Sequence, residues 1–229
     1  MIIQFLLVIF CAAVAGGLLY WLLVITEGVY LGRRLVVWLY DVTAHKYDRT
    51  KEFDDEAEQF FVARPLGFHL RDIGSPRVLD VATGTGRLPH YLLNEPTFNG
   101  HVIGLDASGK MLSLAKEKLA PYRHRAPLVQ QIAGALPFSG NCFDAVSCLE
   151  SLEFFPSDKA ALLEMVRVLR PGGVLMVTRR RGWEAKAFLG RYRNRRQFEA
   201  LIRSMGLINV NTQPWQLDYD QVFGNKADA

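Results

Sequence analysis

The sequence predicts an α/β protein in which a parallel sheet, with helices between its strands, follows one membrane-spanning helix. From residue 77 onward, apolar runs of strand length alternate with segments of helical periodicity. The first run leads into a glycine turn, "VLDVATGTGRL", from Val78 to Leu88. No charged side chain occurs before residue 27. The 229 residues suffice for one domain with a sizeable core plus an appendage.

The N-terminal run predicts a retained membrane helix. As a helix, Phe5–Ile25 would span roughly 30 Å, the thickness of the hydrocarbon core. A cleaved signal peptide would carry a basic n-region, which this segment lacks, and the apolar run continues past the small residues 13–15. A buried helix of the domain is the other alternative, but the run is long for a domain of this size. Arg33 and Arg34 follow the run and no Lys or Arg precedes it, which predicts a single-pass protein with a cytoplasmic domain.

The segment that follows, "GRRLVVWLYD", fits either a helix along the membrane surface or a helix packed on the domain. The three cysteines have neither disulfide nor metal-ligand spacing, so we expect no metal site and a reducing compartment.

The remaining elements follow in order from periodicity and from turn residues. A linker is expected after residue 40. Helices are predicted at 51–63, 88–94, 108–119, 158–169 and 194–206, and strands at 77–81, 101–106, 126–133, 143–150 and 174–178, with a closing pair within 208–223. Ser108 is a possible N-cap, and "RPGG" should end the fourth helix. Ligands of such sheets bind at the carboxyl ends of the strands.

The glycine turn indicates a cationic ligand that carries no phosphate. Gly84 and Gly86 allow positive φ or a close approach of backbone to ligand. A dinucleotide loop would have a third glycine where Pro89 stands. Asp80, at the end of the first strand, would repel phosphate but suits an ammonium group. Asp106, at the end of the second strand, can accept both ribose hydroxyls of an adenosine.

Four segments in this order carry a family resemblance: "VLDVATGTGR", "VIGLDASGKMLSLAKEKL", "ALPFSGNCFDAVSC" and "VLRPGGVLMVT". They resemble the successive motifs of class I S-adenosylmethionine-dependent methyltransferases, with the greatest likeness to the ubiquinone/menaquinone-biosynthesis type. The upstream "YDVTAHKYD" is similar to the lead-in of that group. The resemblance covers Tyr40 to Lys226, and implies a Rossmann-like fold with a seven-stranded, mostly parallel sheet and helices on both faces.

The resemblance also implies the cofactor, S-adenosyl-L-methionine, and the residues that bind it: Asp80, Ala82, Gly84, Gly86, Asp106, Ala107, Met111, Ala133 and Leu136. Asp80 would lie near the methionine ammonium, the glycine turn under the methionine and ribose, and Asp106 at the ribose diol. The last four residues would surround the adenine. Two positions depart from the family. Ala82 replaces a common glycine, which is tolerable if φ is negative there, and Ile132 replaces an acidic residue that accepts a bond from the adenine amino group.

The acceptor side is less specific. Glu150 and Glu153 are the carboxylates nearest the expected acceptor, and His45 and Tyr47 could reach the same mouth from a lid. We take Glu150, Tyr47 and His45 as the catalytic candidates, with solvated loop carboxylates as the alternative for the two glutamates. A general base is needed only if the acceptor must lose a proton.

A membrane helix favours a lipophilic or quinone-like acceptor. Residues 179–203 carry nine Lys or Arg against two acids, and could lie on anionic headgroups; a solvated basic face is the alternative, and no motif supports nucleic-acid binding.

The predicted organisation is a transmembrane helix at 1–27, a juxtamembrane segment and lid helix at 28–66, and the methyltransferase domain at 67–229. The alternative functions are a non-catalytic binding module and a nicotinamide-dependent reductase. The oligomeric state does not follow from the sequence.

Overall fold

The computed structural model describes residues 1–51 and 54–228. Its helices are α1 (Ile2–Tyr20), α2 (Arg33–Lys51), α3 (Asp55–Glu58), α4 (Arg64–Leu70), α5 (Arg87–Leu93), α6 (Gly109–Lys118), α7 (Asp158–Val168) and α8 (Arg195–Ser204). Its strands are β1 (Arg77–Val81), β2 (His101–Asp106), β3 (Leu128–Gln130), β4 (Phe143–Cys148), β5 (Leu169–Arg180), β6 (Leu207–Pro214) and β7 (Tyr219–Lys226).

The strands form one seven-stranded sheet in the order β3-β2-β1-β4-β5-β7-β6. The first five strands pair in parallel, and β7 is antiparallel to both β5 and β6. Two apolar cores form on this sheet, since alternate residues of β1 belong to different cores: Leu79 and Val81 to one, Val78 to the other. The predicted fold class, a seven-stranded and mostly parallel sheet with helices, is confirmed.

The strand order locates the ligand site. β1 pairs with β2 on one side and with β4 on the other, so the order reverses between β1 and β4. In open α/β sheets the crevice at such a reversal, outside the carboxyl ends of the strands, is where ligands bind. Asp80 and Asp106 lie at or next to these ends.

The apolar N-terminal run is a helix. α1 continues as a π-helical turn, Trp21–Ile25, and Ile2–Ile25 is long and apolar enough to cross a membrane, with a mean hydropathy of 2.6. None of it is buried in the protein. The exposure excludes the alternative of a buried core helix.

For the segment after this helix, the alternative of a helix packed on the domain is the one observed, whereas the prediction of a linker after residue 40 is wrong. In place of a linker, α2 runs through 19 residues and packs on the domain from Val36, which is buried against Phe188, to Lys51, which pairs with Glu150. Asp41, for example, accepts a hydrogen bond from the Ser108 hydroxyl at 2.5 Å. The expected helix at 51–63 is instead α3 and a π-helical turn, Gln59–Ala63, that leads into α4, while residues 52 and 53 lie outside the described residues.

Two smaller differences concern strands. β3 has only three residues, because the chain leaves the sheet beyond Gln130 to line the cleft. The "RPGG" segment does follow α7, as expected, but it belongs to β5. The pairing between β4 and β5 shifts register there, from Phe143 opposite Leu169 to Ala145 opposite Val174, which accommodates the turn inside the strand.

Candidate functional site

A cleft of about 250 Å³ lies at the carboxyl ends of β1, β2 and β4. The loops after β1, β2 and β3 line one wall, and α2 and the segment after β4 line the other. The residues on the lining are mostly apolar. The strand ends and helix α2 thus form one site.

Asp106 is the central polar group of the first wall. Its Oδ1 accepts from the Ser108 N–H at 2.8 Å and its Oδ2 from the Gly84 N–H at 2.9 Å. Burial raises the pKa of this carboxyl, and the N–H donors partly offset the rise. Each carboxylate oxygen can accept a further bond, so Asp106 joins the loops after β1 and β2 and still has capacity for a ligand diol.

The glycine turn is left-handed at three positions. φ is +57° at Ala82, +55° at Gly84 and +80° at Gly86. The condition under which alanine would be tolerable at 82, a negative φ, is therefore not met, and Ala82 carries backbone strain. Gly84 lines the cleft, and a Cβ there would meet nothing within 4 Å, so its backbone is open to a ligand. Gly86 does not line the cleft; it caps α5, where a Cβ would lie 2.9 Å from Leu119 Cδ1.

Asp80 lies in a smaller polar chamber next to the cleft. It is buried, and its Oδ1 accepts from the Ser147 hydroxyl at 2.7 Å. Burial raises the pKa of Asp80 to about 6, and hydrogen bonding lowers it only in part. A cationic group in this chamber would favour the ionised form, which is the chemistry expected beside an ammonium or a sulfonium.

The side expected to hold the adenine is apolar. Ala107 and Met111, around the start of α6, line the cleft together with Ile132 and Ala133. Leu136 is buried in the sheet core and lies outside the lining. Ile132 supplies no acceptor, but the Gln131 side chain lies on the same lining.

Helix α2 covers the cleft and is tied to the loops below it. The Ser108 hydroxyl donates to Asp41, and the Thr85 hydroxyl donates to Asp48 at 2.5 Å. Lys118 Nζ also pairs with Asp48 at 2.5 Å. Sequence reasoning missed both aspartates, although they are the two acids of the "YDVTAHKYD" segment on which the family lead-in was recognised.

A buried charge network closes the far wall. Arg87 Nη1 donates to Glu150 Oε1 and Arg87 Nη2 to Glu58 Oε1, each at 2.5 Å. Lys51 Nζ pairs with Glu150 Oε2 at 2.8 Å, and Gln216 Nε2 donates to Glu150 Oε1 at 3.1 Å. Burial alone would raise the pKa of Glu150, but the two cations outweigh it and the pKa is lowered. Glu150 is therefore an ionised, fully engaged carboxylate, held at a φ of +50°.

The catalytic candidates separate in the structure. Glu150 and Tyr47 both line the cleft, and burial, followed by the Glu150 charge, raises the pKa of Tyr47. His45 is on the exposed face of α2 and does not line the cleft. Glu153 also lies outside it, buried and accepting a 2.5 Å bond from the Tyr219 hydroxyl. Sequence reasoning missed Arg87, Lys51 and Glu58, since no local pattern marks a network assembled from four segments.

The site fits S-adenosylmethionine. Asp106 lines the cleft and can accept further hydrogen bonds, and Gly84 leaves open space above the turn. The apolar pocket beside Met111 suits an adenine ring. Asp80 supplies a buried carboxyl for a ligand that carries an ammonium and a sulfonium. The donor set has the chemistry that this cofactor requires.

Comparison with known proteins agrees with this geometry. Residues 78–173 match the family model described as a methyltransferase domain. The ubiquinone/menaquinone biosynthesis C-methyltransferase UbiE of Nitrosospira multiformis is 39% identical over 101 residues, which are 44% of this chain and 41% of that protein. The demethylmenaquinone methyltransferase of Lactiplantibacillus plantarum is 34% identical over 140 residues, 60% of this chain and 59% of the relative. The chain spans about half the length of the curated relatives it matches.

Solved structures share the fold at low identity. The [4+2]-cyclase SpnF superimposes with a TM-score of 0.70 at 18% identity, covering 85% of this chain and 97% of that one. An S-adenosylmethionine-dependent methyltransferase from Clostridium acetobutylicum gives a TM-score of 0.65 at 17% identity, with 82% and 99% covered. The chain therefore has the fold of S-adenosylmethionine-dependent methyltransferases, and its residues 78–173 match a methyltransferase domain behind an apolar N-terminal helix.

Proposed function

We propose that this protein transfers a methyl group from S-adenosylmethionine to a lipophilic, quinone-like acceptor at a membrane surface. One observation carries the proposal. The cleft that joins the cofactor motifs is continued by a wall on α2, which begins at Arg33, eight residues beyond the end of the apolar helix, and becomes apolar at Val36 and Val37. The names of the relatives, which act in quinone biosynthesis, support the acceptor class.

In this proposal residues 1–27 cross the membrane once, residues 28–66 comprise the juxtamembrane segment and the lid helix, and residues 67–229 form a cytoplasmic catalytic domain. The basic segment 179–203 contributes less to the attraction of anionic headgroups than its composition indicates. Arg179, Arg181 and Arg193 pair with Asp220 or Asp158, so much of its charge is neutralised locally. A lipid surface remains the proposed partner, and no nucleic-acid role is proposed.

The cofactor supplies an electrophilic methyl group, and the protein aligns the nucleophile with it. Asp106 would bind the ribose diol, Asp80 would face the methionine ammonium, and Ala82, Gly84, Ala107, Met111 and Ala133 would shape the pocket, with Gly86 and Leu136 supporting it from behind. Glu150 would position Arg87 and Lys51 beside the cleft. Tyr47 would face the acceptor from the lid, and His45, on the outer face, has no role in this scheme.

Glu150 is a weak base, because Arg87 and Lys51 stabilise its ionised form. The proposed acceptor is therefore one that needs little help to lose a proton, such as a carbon of an electron-rich hydroquinone or an acidic hydroxyl. Activity should follow the ionisation of the acceptor rather than that of Glu150.

Reconstitution tests the proposal. The full chain in phospholipid vesicles is supplied with methyl-labelled cofactor and either a demethylated naphthohydroquinone with an isoprenoid tail or no acceptor. We expect label in the hydroquinone, and roughly tenfold less, or lower still, with an Asp106→Ala variant at a cofactor concentration well below the dissociation constant. Calorimetric titration with S-adenosylhomocysteine and with NADH separates the alternatives: heat from NADH alone would establish a nicotinamide enzyme. Cofactor binding without transfer to any supplied hydroquinone or lipid would contradict the proposal.

A second reaction class has one observation in its favour. The structural likeness to a [4+2]-cyclase means that this fold also hosts chemistry other than methyl transfer. Conversion of a supplied acceptor without incorporation of the methyl label would identify this second reaction class.

A further inference from the structure

We infer that residues 182–192, here called the interfacial loop, form a second membrane contact beside the N-terminal helix and hold the cleft mouth against the lipid. The inference rests on the proposed membrane anchor. The partner of this loop is the interfacial layer of a phospholipid bilayer, and the contact gives the acceptor a route into the cleft.

The N-terminal helix leaves the domain at a fixed place. Thr26 is fully buried, and its hydroxyl donates to the Trp21 and Leu22 carbonyls at 3.1 and 3.2 Å, which terminates the helix. Gly28 then turns the chain at a φ of +74°, where a Cβ would lie 3.1 Å from Leu35 Cδ2 of α2. The connection is a packed turn against α2, so a membrane around the helix would have a defined position relative to the cleft.

The same turn is bonded to the interfacial loop. The Tyr30 hydroxyl donates to the Leu189 carbonyl at 2.9 Å. The Tyr30 ring stacks on Trp21 with centroids 5.1 Å apart, and the Arg191 guanidinium lies 5.5 Å from that ring's centroid. Tyr30 in the turn therefore contacts both Trp21 of the N-terminal helix and Leu189 of the interfacial loop, and joins the three segments.

The loop exposes side chains suited to a membrane interface. Trp183 is 74% exposed and Leu189 62%, and Leu31 of the adjoining turn is 50% exposed. Aromatic residues that combine an apolar ring with a polar group concentrate at the headgroup level of membranes. The one acid within the loop, Glu184, pairs with Arg180, whereas Lys186 is exposed. The surface is thus apolar and cationic, which complements anionic phospholipid.

The loop also reaches the cleft. Phe188 is buried in a cluster with Val29 and Val36, and its ring meets the Phe154 ring edge-on at 5.7 Å. Val36 and Phe154 line the cleft. The apolar contact is continuous from the interfacial loop to the cleft wall, so a membrane that meets the loop would lie beside this wall. In the proposed route, the head of the acceptor enters the cleft there while its hydrocarbon tail stays in the bilayer.

Spin-label accessibility tests the contact without measuring activity. Labels are attached at Trp183→Cys and Leu189→Cys in full-length protein carrying Cys11→Ser and Cys142→Ser, reconstituted in mixed phosphatidylcholine and phosphatidylglycerol vesicles; Cys148 is buried and is left in place. The control is Ile208→Cys, which is 50% exposed on β6 at the opposite end of the sheet. We expect the loop labels to collide with oxygen and to be shielded from an aqueous nickel chelate, and the control label to show the reverse. Loop labels as open to nickel as the control would overturn the inference, as would dipolar broadening between two copies of the chain.

Kinetics test the route. Trp183→Ser with Leu189→Ser should raise KM for a long-tailed acceptor about fivefold or more, because interfacial affinity scales with buried apolar area. The affinity for S-adenosylhomocysteine and the rate with a short-chain soluble acceptor should not change, and Ile208→Ser should behave as the unaltered protein. An unchanged KM would refute the route. If no variant methylates any acceptor, the proposed function fails while the label result still decides the membrane contact.

Discussion

The two walls of the cleft are built in different ways. The cofactor wall consists of loops that follow adjacent parallel strands, and Asp106 bonds two of them through backbone N–H groups. The acceptor wall is assembled from distant segments, with Lys51 on α2 meeting Glu150, 99 positions further along the chain. The cofactor wall thus depends on local backbone geometry, whereas the acceptor wall depends on long-range ion pairs. Substitutions should separate the two.

The largest effect is expected from Asp106→Ala on the cofactor wall. A charge-assisted hydrogen bond contributes about 1.5–3 kcal/mol, so the dissociation constant of S-adenosylhomocysteine should rise roughly tenfold or more. Isothermal titration calorimetry measures it. Asp72→Ala, at a carboxylate that is 89% exposed, is the matched control and should bind normally. Normal binding by a folded Asp106→Ala protein would remove this residue from the site.

Glu150→Gln should instead reduce stability. It removes a buried charge that faces Arg87 and Lys51, at a cost of about 2 kcal/mol or several degrees in Tm, because the two cations lose their shared partner. Glu164→Gln, in a more exposed pair with Arg167, should cost about 1 kcal/mol or less.

The sign of the pH dependence follows from the lowered pKa of Glu150. The unfolded chain takes up the proton first, so the stabilisation by Glu150 is complete above the ordinary glutamate pKa, about 4.3, and is lost as the pH falls below it. Thermal melts should show a difference in Tm between the unaltered protein and Glu150→Gln that is smaller at pH 3 than at pH 7. A constant gap would mean that the charge is not what matters.

Asp80 should make cofactor binding depend on pH. Its pKa of about 6 means that most of the carboxyl is neutral at pH 5, so affinity for a cationic ligand should fall about tenfold between pH 7 and pH 5. Asp80→Asn should bind the cationic ligand weakly at both pH 7 and pH 5, and its affinity should not change with pH. Because the raised pKa penalises the ionised form in the folded protein, this variant should also melt higher than the unaltered protein at pH 8, but not at pH 4. A slope that persists in Asp80→Asn would assign the titration to another group.

The smallest effect is expected at Ala82. Its φ of +57° suits glycine, so Ala82→Gly should stabilise the protein by up to about 1 kcal/mol and leave cofactor affinity unchanged. The control, Ala115→Gly within α6, should destabilise by about 1 kcal/mol. Destabilisation by both changes would show that Ala82 is not strained.

Prediction from sequence succeeded where a pattern is local. The apolar runs at 77–81 and 101–106 gave β1 and β2 with their observed bounds, and Ser108 caps α6 by accepting from the Met111 N–H. It failed for the part of α2 beyond residue 40, where a mixture of charged, polar and aromatic residues resembles a linker. The side chains of Tyr40 and Tyr47 meet the cleft, whereas His45 faces outward.

The sequence by itself determined the order of strands and helices, the apolar N-terminal helix, the resemblance to methyltransferases and the cofactor side of the cleft. Each depends on short-range spacing: a period of two or 3.6 residues, a turn of small residues, a carboxylate at a strand end. Only the tertiary structure decided that Ala82 is left-handed, that Glu150 is held by Arg87 and Lys51, and that α2 closes the site. The physical reason is that burial and charge pairing depend on which distant segments meet, and a one-dimensional pattern does not specify those contacts.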